Sequence, residues 1–409
     1  MKYEKYKDSG VEWIGEVPSH WEVCAFKRKI TINNGKDYKD FSDNEIYPVM
    51  GSGGCFAYCA KFMYDGEALL MGRKGTIDKP LYINGKFWAV DTMFYAVPTK
   101  DLHCKFAYYL ALTFPYSLYS TSTALPSMTQ TDLGNNPVAF PPFAEQQAIA
   151  AYLDEKCKEI NRAIDVQKKK IDLLNELKQT IITNAVTKGL DPNAPMKDSG
   201  VEWIGKVPSH WEVMRLRFAC EFRNGYTPSK ANPDFWENGS IPWYRMEDIR
   251  ESGRFLNEAK QYITRKAVKG NGLFEAGSFI LATTATIGEH AVLIADSQAN
   301  QRFTNLKIRK SLSNRLSRDF FFYYLFVIDD YCKSTTRTAT FPAVNMDDLK
   351  NFGVTIPPLQ EQQAIVAHIE DEVGKIDSRI SRANRRIELL EELMQSIITE
   401  AVTGKIKVC

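Results

Sequence analysis

One segment of this sequence occurs twice. Residues 7–23 read KDSGVEWIGEVPSHWEV, and residues 197–213 repeat them with a single change among 17 positions, Lys206 in place of Glu16. Self-similarity within one chain is typical of repeated structural units. The chain is therefore expected to fold as two copies of one plan.

A second pair of repeats lies farther along each half. PPFAEQQAI at 141–149 matches PPLQEQQAI at 357–365, and from these prolines the copies align without a gap, with 22 identities over 49 positions. The stretches between the repeated segments diverge, and they alternate short β-rich runs with Gly and Asn turns and with helical stretches. Each half therefore predicts an α/β (α+β) domain followed by a shared helix.

Composition excludes several classes of protein. The 409 residues are 44% hydrophobic and 25% charged, as in ordinary globular domains, and a formal net charge of +2 neither demands nor excludes a polyanionic partner. No apolar run indicates a membrane span or a signal peptide. The eight cysteines lack zinc-ligand spacing, so a reducing, cytoplasmic location is expected.

Both shared helices carry a heptad repeat. Apolar residues recur at alternating four- and three-residue intervals over more than four heptads in the second copy, which predicts a coiled-coil seam. Gln167 and Lys178 interrupt the first seam, and we expect them either to loosen that helix or to set its register. The predicted seam consists of Leu153, Ile160, Ile164, Ile171, Leu174, Ile181, Ile369, Val373, Ile376, Ile380, Ile387, Leu390, Met394 and Ile397.

The length of these helices bears on their partners. A helix of about 40 residues is roughly 60 Å long, which exceeds the width of a small domain. We therefore expect the two helices to pair with each other, antiparallel under a pseudo-twofold, rather than each on its own domain. The second helix should then end beside the first copy of the repeated segment. The predicted parts are globular domains at 1–140 and 191–356 and spacer helices at 141–190 and 357–409.

Motifs for catalysis are missing from the sequence. DNA amino-methyltransferases place Asn or Asp before Pro-Pro-aromatic, but FPPF at 140–143 has Phe140 there. No G-x-G-x-x-G turn follows a strand, and GRKGT at 72–76 does not match a nucleotide-binding loop. The five histidines are remote from one another in sequence. No catalytic residue and no metal ligand is therefore assigned.

Two similar modules on a rigid spacer can contact two separated places on one long partner. DNA is such a partner, because the spacing of half-sites follows the geometry of the protein. A spacer of roughly 60 Å spans at most about 18 base pairs at roughly 3.4 Å each.

The order of the parts closely resembles the specificity subunit of type I restriction–modification enzymes. The features that carry the resemblance are GVEWIGEVPSHWEV, YPVMGSGG, GRKGTID and PPFAEQQAIA in the first half, and GVEWIGKVPSHWEV, IPWYRMEDI, TTATIGEHAVL and PPLQEQQAI in the second. The resemblance covers essentially the whole chain. It implies two target recognition domains, each reading one half of a bipartite, asymmetric DNA site, with the helices setting the gap.

The resemblance also implies partners. These are double-stranded DNA, two modification (methyltransferase) subunits and restriction (endonuclease/translocase) subunits, with no membrane involved. The chain itself would be non-catalytic and bind no cofactor, because S-adenosylmethionine, ATP and Mg belong to partner subunits. Two alternatives stay open: a coiled-coil scaffold with two modules that bind proteins or glycans instead of DNA, and an enzyme such as a fused nuclease or methyltransferase.

Candidate DNA contacts lie in the divergent stretches, because nearly identical segments cannot distinguish two half-sites. Arg73 and Lys74 occupy a glycine-flanked turn, where the backbone can approach a phosphate, and Thr284 lies in the matching turn of the second half. Exposed basic, amide and hydroxyl side chains read DNA, although each can instead be a solvated loop residue. The candidates are Lys36, Arg73, Lys74, Thr76, Tyr226, Thr227, Lys230, Tyr244, Arg245, Thr283, Thr284, Thr286, Gln301 and Arg302.

Overall fold

The structure is a computed structural model that describes residues 2–41, 46–119, 126–270, 272–336 and 343–408. The chain forms two compact units, unit 1 from Met1–Lys169 with Ala383–Cys409, and unit 2 from Lys170–Arg382. Both boundaries fall inside long helices. Each unit therefore contains one part of each of these helices.

Unit 1 contains a mixed sheet covered by helices. Its strands are β1 (Tyr6–Asp8), β2 (Glu16–Pro18), β3 (Glu22–Ala25), β4 (Ile30–Asn34), β5 (Tyr47–Gly51), β6 (Gly54–Cys59), β7 (Tyr64–Gly72), β8 (Leu81–Ala89), β9 (Met93–Pro98) and β10 (Pro137–Phe140). Its helices are α1 (Cys104–Ala111), α2 (Tyr116–Tyr119), α3 (Gln130–Asn135) and the first part of α4 (Phe143–Lys188).

The main sheet of unit 1 has six strands in the order β4-β9-β7-β8-β5-β6. Only β5 and β8 pair in parallel, and the other neighbours are antiparallel. Strand β7 is buried on both faces at its end, where Leu69 and Met71 share a core with Phe106 of α1 and the alternate residue Leu70 packs in a second cluster with Phe87. This packing explains why the sequence there is a continuous apolar run rather than an alternating one.

Unit 2, like unit 1, contains both β-strands and α-helices. Its strands are β11 (Met196–Asp198), β12 (Lys206–Pro208), β13 (Glu212–Arg215), β14 (Cys220–Asn224), β15 (Ile241–Tyr244), β16 (Phe255–Leu256), β17 (Tyr262–Ile263), β18 (Phe279–Ala282), β19 (His290–Leu293), β20 (Gln298–Ala299), β21 (Phe303–Ile308) and β22 (Gly353–Ile356). Its helices are α5 (Leu216–Ala219), α6 (Met246–Ser252), α7 (Arg318–Thr336), α8 (Met346–Asn351) and the first part of α9 (Leu359–Val402).

Two sheets organise unit 2. A five-stranded sheet has the order β14-β21-β18-β19-β16, and a three-stranded sheet has the order β17-β15-β20. Phe279 and Phe321 pack edge to face at 5.1 Å between ring centroids and join the larger sheet to α7. The α/β (α+β) class expected from the sequence is confirmed in both units.

The long helices α4 and α9 contain 46 and 44 residues. In unit 2, Lys178 Nζ of α4 lies 2.8 Å from Asp377 Oδ1 of α9. Val186 lies farther along α4, and its carbonyl accepts a 2.7 Å hydrogen bond from Thr355, which precedes α9. Because later residues of α4 meet earlier residues of α9, the two helices run antiparallel there. In unit 1, Ile398 of α9 shares a core with Leu153 of α4. The antiparallel pairing expected from the heptads is confirmed.

The predicted seam residues all face away from solvent to some degree. Leu153, Ile160, Ile164, Leu174, Ile369 and Ile376 are buried. The remaining seam residues are half-buried, namely Ile171, Ile181, Val373, Ile380, Ile387, Leu390, Met394 and Ile397.

The repeated segment folds identically in both units. Strands β1 and β2 pair in the same register as β11 and β12, and Trp21 and Trp211 are fully buried. A Cβ at Gly404, just beyond α9, would lie 2.4 Å from Pro18 Cδ. The expectation that the second helix ends beside the first copy is therefore confirmed.

Candidate nucleic-acid interface

Three of the predicted cations converge on the turn between β8 and β9, at residues 90–92. The backbone N–H of Lys36 donates to the last carbonyl of β8 at 2.9 Å. The N–H groups of Arg73 and Lys74 both donate to the carbonyl of Thr92, at 2.8 and 3.3 Å. Arg73 is half-buried, and Lys36 and Lys74 are exposed. The structure thus brings to one turn residues that lie up to 38 positions apart in the sequence.

Glycine is required directly after β4, where the chain passes close to the turn at residues 90–92. A Cβ at Gly35 would lie 2.0 Å from the carbonyl oxygen of Val90, and a Cβ at Gly225 would lie 2.1 Å from that of Asn300. Both distances are far inside van der Waals contact, so only glycine permits such a close approach. The pairs Asn34-Gly35 and Asn224-Gly225 therefore mark the same close contact between backbone segments in the two halves.

Unit 2 repeats this backbone frame with different side chains. Tyr226 donates its N–H to the last carbonyl of β20 at 2.8 Å, as Lys36 does at β8. Thr283 donates to the carbonyl of Arg302 at 2.9 Å, as Arg73 does to Thr92. The backbone equivalence of the turns at 73 and 283 confirms their alignment in the sequence. One frame therefore presents a different surface in each unit.

The candidates after β14 and β20 also contact one another. Thr227 donates its hydroxyl to Gln301 Oε1 at 2.6 Å. The Tyr226 hydroxyl donates to a backbone carbonyl at 3.0 Å, and Lys269 Nζ lies 4.6 Å from the centre of its ring. Lys230 is exposed at a pocket lined by Trp236. These polar and basic groups give unit 2 both amide and cationic donors.

The remaining candidates lie on exposed or half-exposed turns. Thr76 is exposed in the turn after β7, and Thr284 and Thr286 are half-buried in the turn between β18 and β19. Gln301 and Arg302 are exposed. Arg245 is half-buried at the start of α6 and forms an ion pair with Glu247.

Two predicted DNA contacts are core residues instead. Tyr244 is fully buried, its hydroxyl has no hydrogen-bond partner among the described residues, and burial raises its pKa. Thr283 is 6% exposed, and its hydroxyl lies 3.0 Å from that of Thr304. Neither side chain reaches the surface from these positions.

A buried carboxylate supports the turn that carries Thr284 and Thr286. A Cβ at Gly288 would lie 1.2 Å from Asp329 Oδ1, so this glycine admits the carboxylate of α7. Burial raises the pKa of Asp329 to about 6, against the opposing effect of Lys333, whose Nζ lies 2.9 Å away. Burial also lowers the pKa of His290 to about 4. The described residues contain no group of three or more His, Cys, Asp and Glu side chains that could hold a metal ion.

The family model described as "Type I restriction modification DNA specificity domain" matches residues 18–176 and 208–389. The chain belongs to this family. The two matches fall one on each repeat, so the chain contains two copies of the specificity domain. Each copy includes one of the two backbone frames described above.

Known type I specificity subunits are similar to this chain over different lengths. The EcoprrI specificity subunit of Escherichia coli is 42% identical over 185 residues, which cover 45% of this chain and 46% of the relative. The match thus spans about half the length of that relative. The MjaVIII specificity subunit of Methanocaldococcus jannaschii is 24% identical over 438 residues, which cover 96% of this chain and 94% of the relative.

A solved structure shares the fold of this type I specificity chain. It comes from work on complex assembly and conformational transition of the type I R-M system, and it aligns with a TM-score of 0.68 at 16% identity, covering 95% of this chain and 99% of the other. No helix in the described part of this specificity chain is long and apolar enough to cross a membrane.

The buried anchors of each specificity domain were not identified from the sequence. Gln146 donates to the carbonyl of Pro141 at 2.9 Å and accepts from the N–H of His103 at 2.8 Å. Gln362 donates to the carbonyl of Pro357 at 2.7 Å and accepts from the N–H of Ser317 at 2.8 Å. The signal was present, because EQQ occurs in both copies two residues after the proline pair.

A hydrogen bond between a histidine and a glutamate accompanies each of these glutamines. His20 Nε2 lies 2.9 Å from Glu145 Oε2, and His210 Nε2 lies 2.8 Å from Glu361 Oε2. Both histidines belong to the repeated segment, and both carboxylates belong to the first turn of a long helix. The repeated parts of the sequence thus dock on each other and hold each specificity domain on its helix.

Proposed function

We propose that this chain is the DNA-recognition subunit of a type I restriction–modification complex. Unit 1 reads one half of a bipartite, asymmetric DNA site, and unit 2 reads the other half. Family membership over both repeats supports this proposal. The single observation that carries it is the common backbone frame that presents Lys36 and Arg73 in unit 1 but Tyr226 and Arg302 in unit 2.

The chemistry of the two surfaces fits duplex DNA. Arginine and lysine contact phosphates and guanine edges, whereas amides and hydroxyls contact adenine and other base edges. Unit 1 presents three cations at one turn, and unit 2 combines Thr227, Gln301 and Arg302. Different side chains on one backbone frame are what two unlike half-sites require.

The long helices act as the spacer between the half-sites. Helix α4 has 46 residues, which corresponds to about 69 Å at about 1.5 Å per residue. A helix of fixed length separates two reading surfaces by a fixed distance, as half-site recognition requires.

The chain itself is non-catalytic in this proposal and acts in the cytoplasm. It recruits two modification (methyltransferase) subunits, and restriction subunits join the same complex. S-adenosylmethionine, ATP and Mg²⁺ are held by those partner subunits. The related EcoprrI and MjaVIII proteins are named as specificity subunits of type I restriction enzymes, which supports this division of labour.

Single-molecule sequencing of methylated genomic DNA tests the proposal. Cells that contain this chain should show one bipartite methylated motif that is absent after deletion of its gene. Its purified complex should bind a duplex with that motif more tightly than a scrambled duplex, and both affinities should fall as salt rises. Identical methylation maps with and without the chain would contradict the proposal and favour a scaffold that does not bind DNA.

A further inference from the structure

Strand β6 lies at the edge of the main sheet of unit 1 and carries exposed aromatic residues. Phe56 is 58% exposed and Tyr58 is 49% exposed. Edge strands of soluble proteins are normally protected by charge, proline or cover, because an open apolar edge promotes aggregation. Large exposed side chains clustered on an edge strand therefore indicate a contact surface.

A β-bulge redirects Phe56. Val49 pairs with Ala57 and Met50 pairs with Cys55, so the register shifts by one residue and Phe56 has no opposite residue on β5. Bulges bend a strand and re-aim its side chains, and they are frequent beside functional sites. The exposure of Phe56 thus results from a specific backbone feature.

The ring of Phe56 is supported on one side. A Cβ at Gly51 would lie 3.1 Å from Phe56 Cε1, so the ring lies directly over this glycine. The Tyr38 and Phe56 rings pack edge to face with 5.8 Å between centroids. Support from below and from one side holds the ring in place while more than half of its surface stays open.

This aromatic pair adjoins the basic turn. The carbonyl of Met50, the residue before Gly51, accepts a 3.1 Å hydrogen bond from the N–H of Val90. Val90 begins the turn to which Lys36, Arg73 and Lys74 are bonded. Cationic side chains contact DNA phosphates, and an apolar ring beside them can wedge against a base step.

The described residues of unit 2 do not form this hairpin. There the equivalent strand, β15, makes the corresponding 3.1 Å bond from the N–H of Asn300 to the carbonyl of Tyr244. The next residue is Arg245, which begins helix α6 instead of a hairpin. The aromatic element therefore distinguishes the two recognition surfaces.

We propose that the β5–β6 hairpin is a DNA-contacting element of unit 1, in which Phe56, supported by Tyr38, packs against a base step beside the bases or phosphates contacted by Arg73. The inference depends on the proposed function and adds a shape-reading residue to it. Its partner is duplex DNA, because the adjoining side chains are cationic and the neighbouring turn is the candidate interface.

The test uses the full chain assembled with its methyltransferase subunits. The probes are a duplex with the methylated motif and a duplex in which the half read by unit 1 is scrambled. Phe56→Ala should bind the motif about tenfold more weakly, since an aromatic contact with a base is lost. Binding to the scrambled duplex and the salt dependence should stay unchanged, because no charge is removed. Phe56→Leu should lose less affinity than Phe56→Ala, because leucine leaves a smaller apolar side chain that can still wedge at the base step.

Phe62→Ala is the matched control. Phe62 is also exposed, at 42%, but its ring packs on Tyr47 at 5.2 Å and not on Gly51. It should bind both duplexes as the wild type does. Wild-type affinity of the Phe56 variants for the motif would overturn the inference, as would an equal loss on both duplexes. If the wild-type complex itself fails to distinguish the duplexes, the proposed function fails instead.

Discussion

The Lys178 ammonium lies 2.8 Å from the Asp377 carboxylate and links the last part of α4 to the first part of α9 within unit 2. Lys178 occupies a seam position, where an apolar residue is usual, and its side chain is 28% exposed. Surface pairs of this kind contribute at most about 1 kcal/mol. Because polar seam residues specify alignment at a cost in stability, we infer that this pair sets the register of the two helices.

The register makes the spacer hypothesis testable. Inserting four residues after Leu174 and four after Ile380 places the insertions opposite each other and lengthens each helix by about 6 Å. The gap in the methylated motif should increase by about two base pairs, at about 3.4 Å each. Methylation sequencing measures this gap. Alanine at exposed Asp172 and Glu176 provides a control of unchanged length, and an unchanged gap in the insertion variant would exclude the helices as the spacer.

Gln146 and Gln362 should be equivalent anchors of the two units. Replacing either with alanine removes hydrogen bonds to buried backbone groups and should cost about 2–4 kcal/mol of unfolding free energy. Hydrogen exchange should show the loss of amide protection in unit 1 for Gln146→Ala and in unit 2 for Gln362→Ala. The exposed neighbours Gln147 and Gln363 are matched controls. A decrease of less than about 1 kcal/mol in the unfolding free energy would show that the anchors lie elsewhere.

Arg73→Ala should weaken the reading of one half-site only. The Arg73 guanidinium donates at 3.5 Å to the carbonyl of Asp91, in the turn between β8 and β9, and the equivalent position of unit 2 is Thr283. Gel shifts with duplexes altered in either half-site should show about 1–3 kcal/mol of lost discrimination in one half. Exposed Lys79, which lies farther along the loop between β7 and β8 that also contains Arg73, provides the control Lys79→Ala. Equal losses for both halves would argue against a role in reading bases.

Asp329→Asn should change how stability depends on pH. Burial raises the pKa of Asp329 to about 6, so this carboxyl supports the folded state at low pH and loses that contribution as pH rises from about 4 to about 6. Asparagine cannot ionise, so the variant should gain stability relative to the wild type across that window. Denaturant unfolding at several pH values measures the difference. Asp330→Asn, at the exposed neighbour, should show no such trend.

The repeats and the long helices were predictable because they follow from local periodicity. Identical segments fold identically, and a sustained heptad requires a partner helix. The alignment of Arg73 with Thr283 was also predictable, because an apolar strand precedes the turn in both halves. These features depend on neighbours in sequence, which a single chain displays directly.

The exposure of individual side chains was less predictable. Tyr244 follows a short apolar run and resembles a surface residue at a strand end, but β20 and Phe274 enclose it. Phe56 would be assigned to a core from its polarity, but the bulge in β6 turns it outward. Both outcomes depend on pairing between strands that are distant in sequence, and strand propensity alone does not report such pairing.

The division of α9 between the units affects the order of folding during synthesis. Unit 2 is one continuous stretch, whereas unit 1 is closed by residues 383–409, which are synthesised after all of unit 2. Ile398, Ala401 and Val402 belong to the same core as Trp21. Domains fold as their residues emerge, so the core of unit 1, whose synthesis begins before that of unit 2, can close only after all of unit 2 has been made.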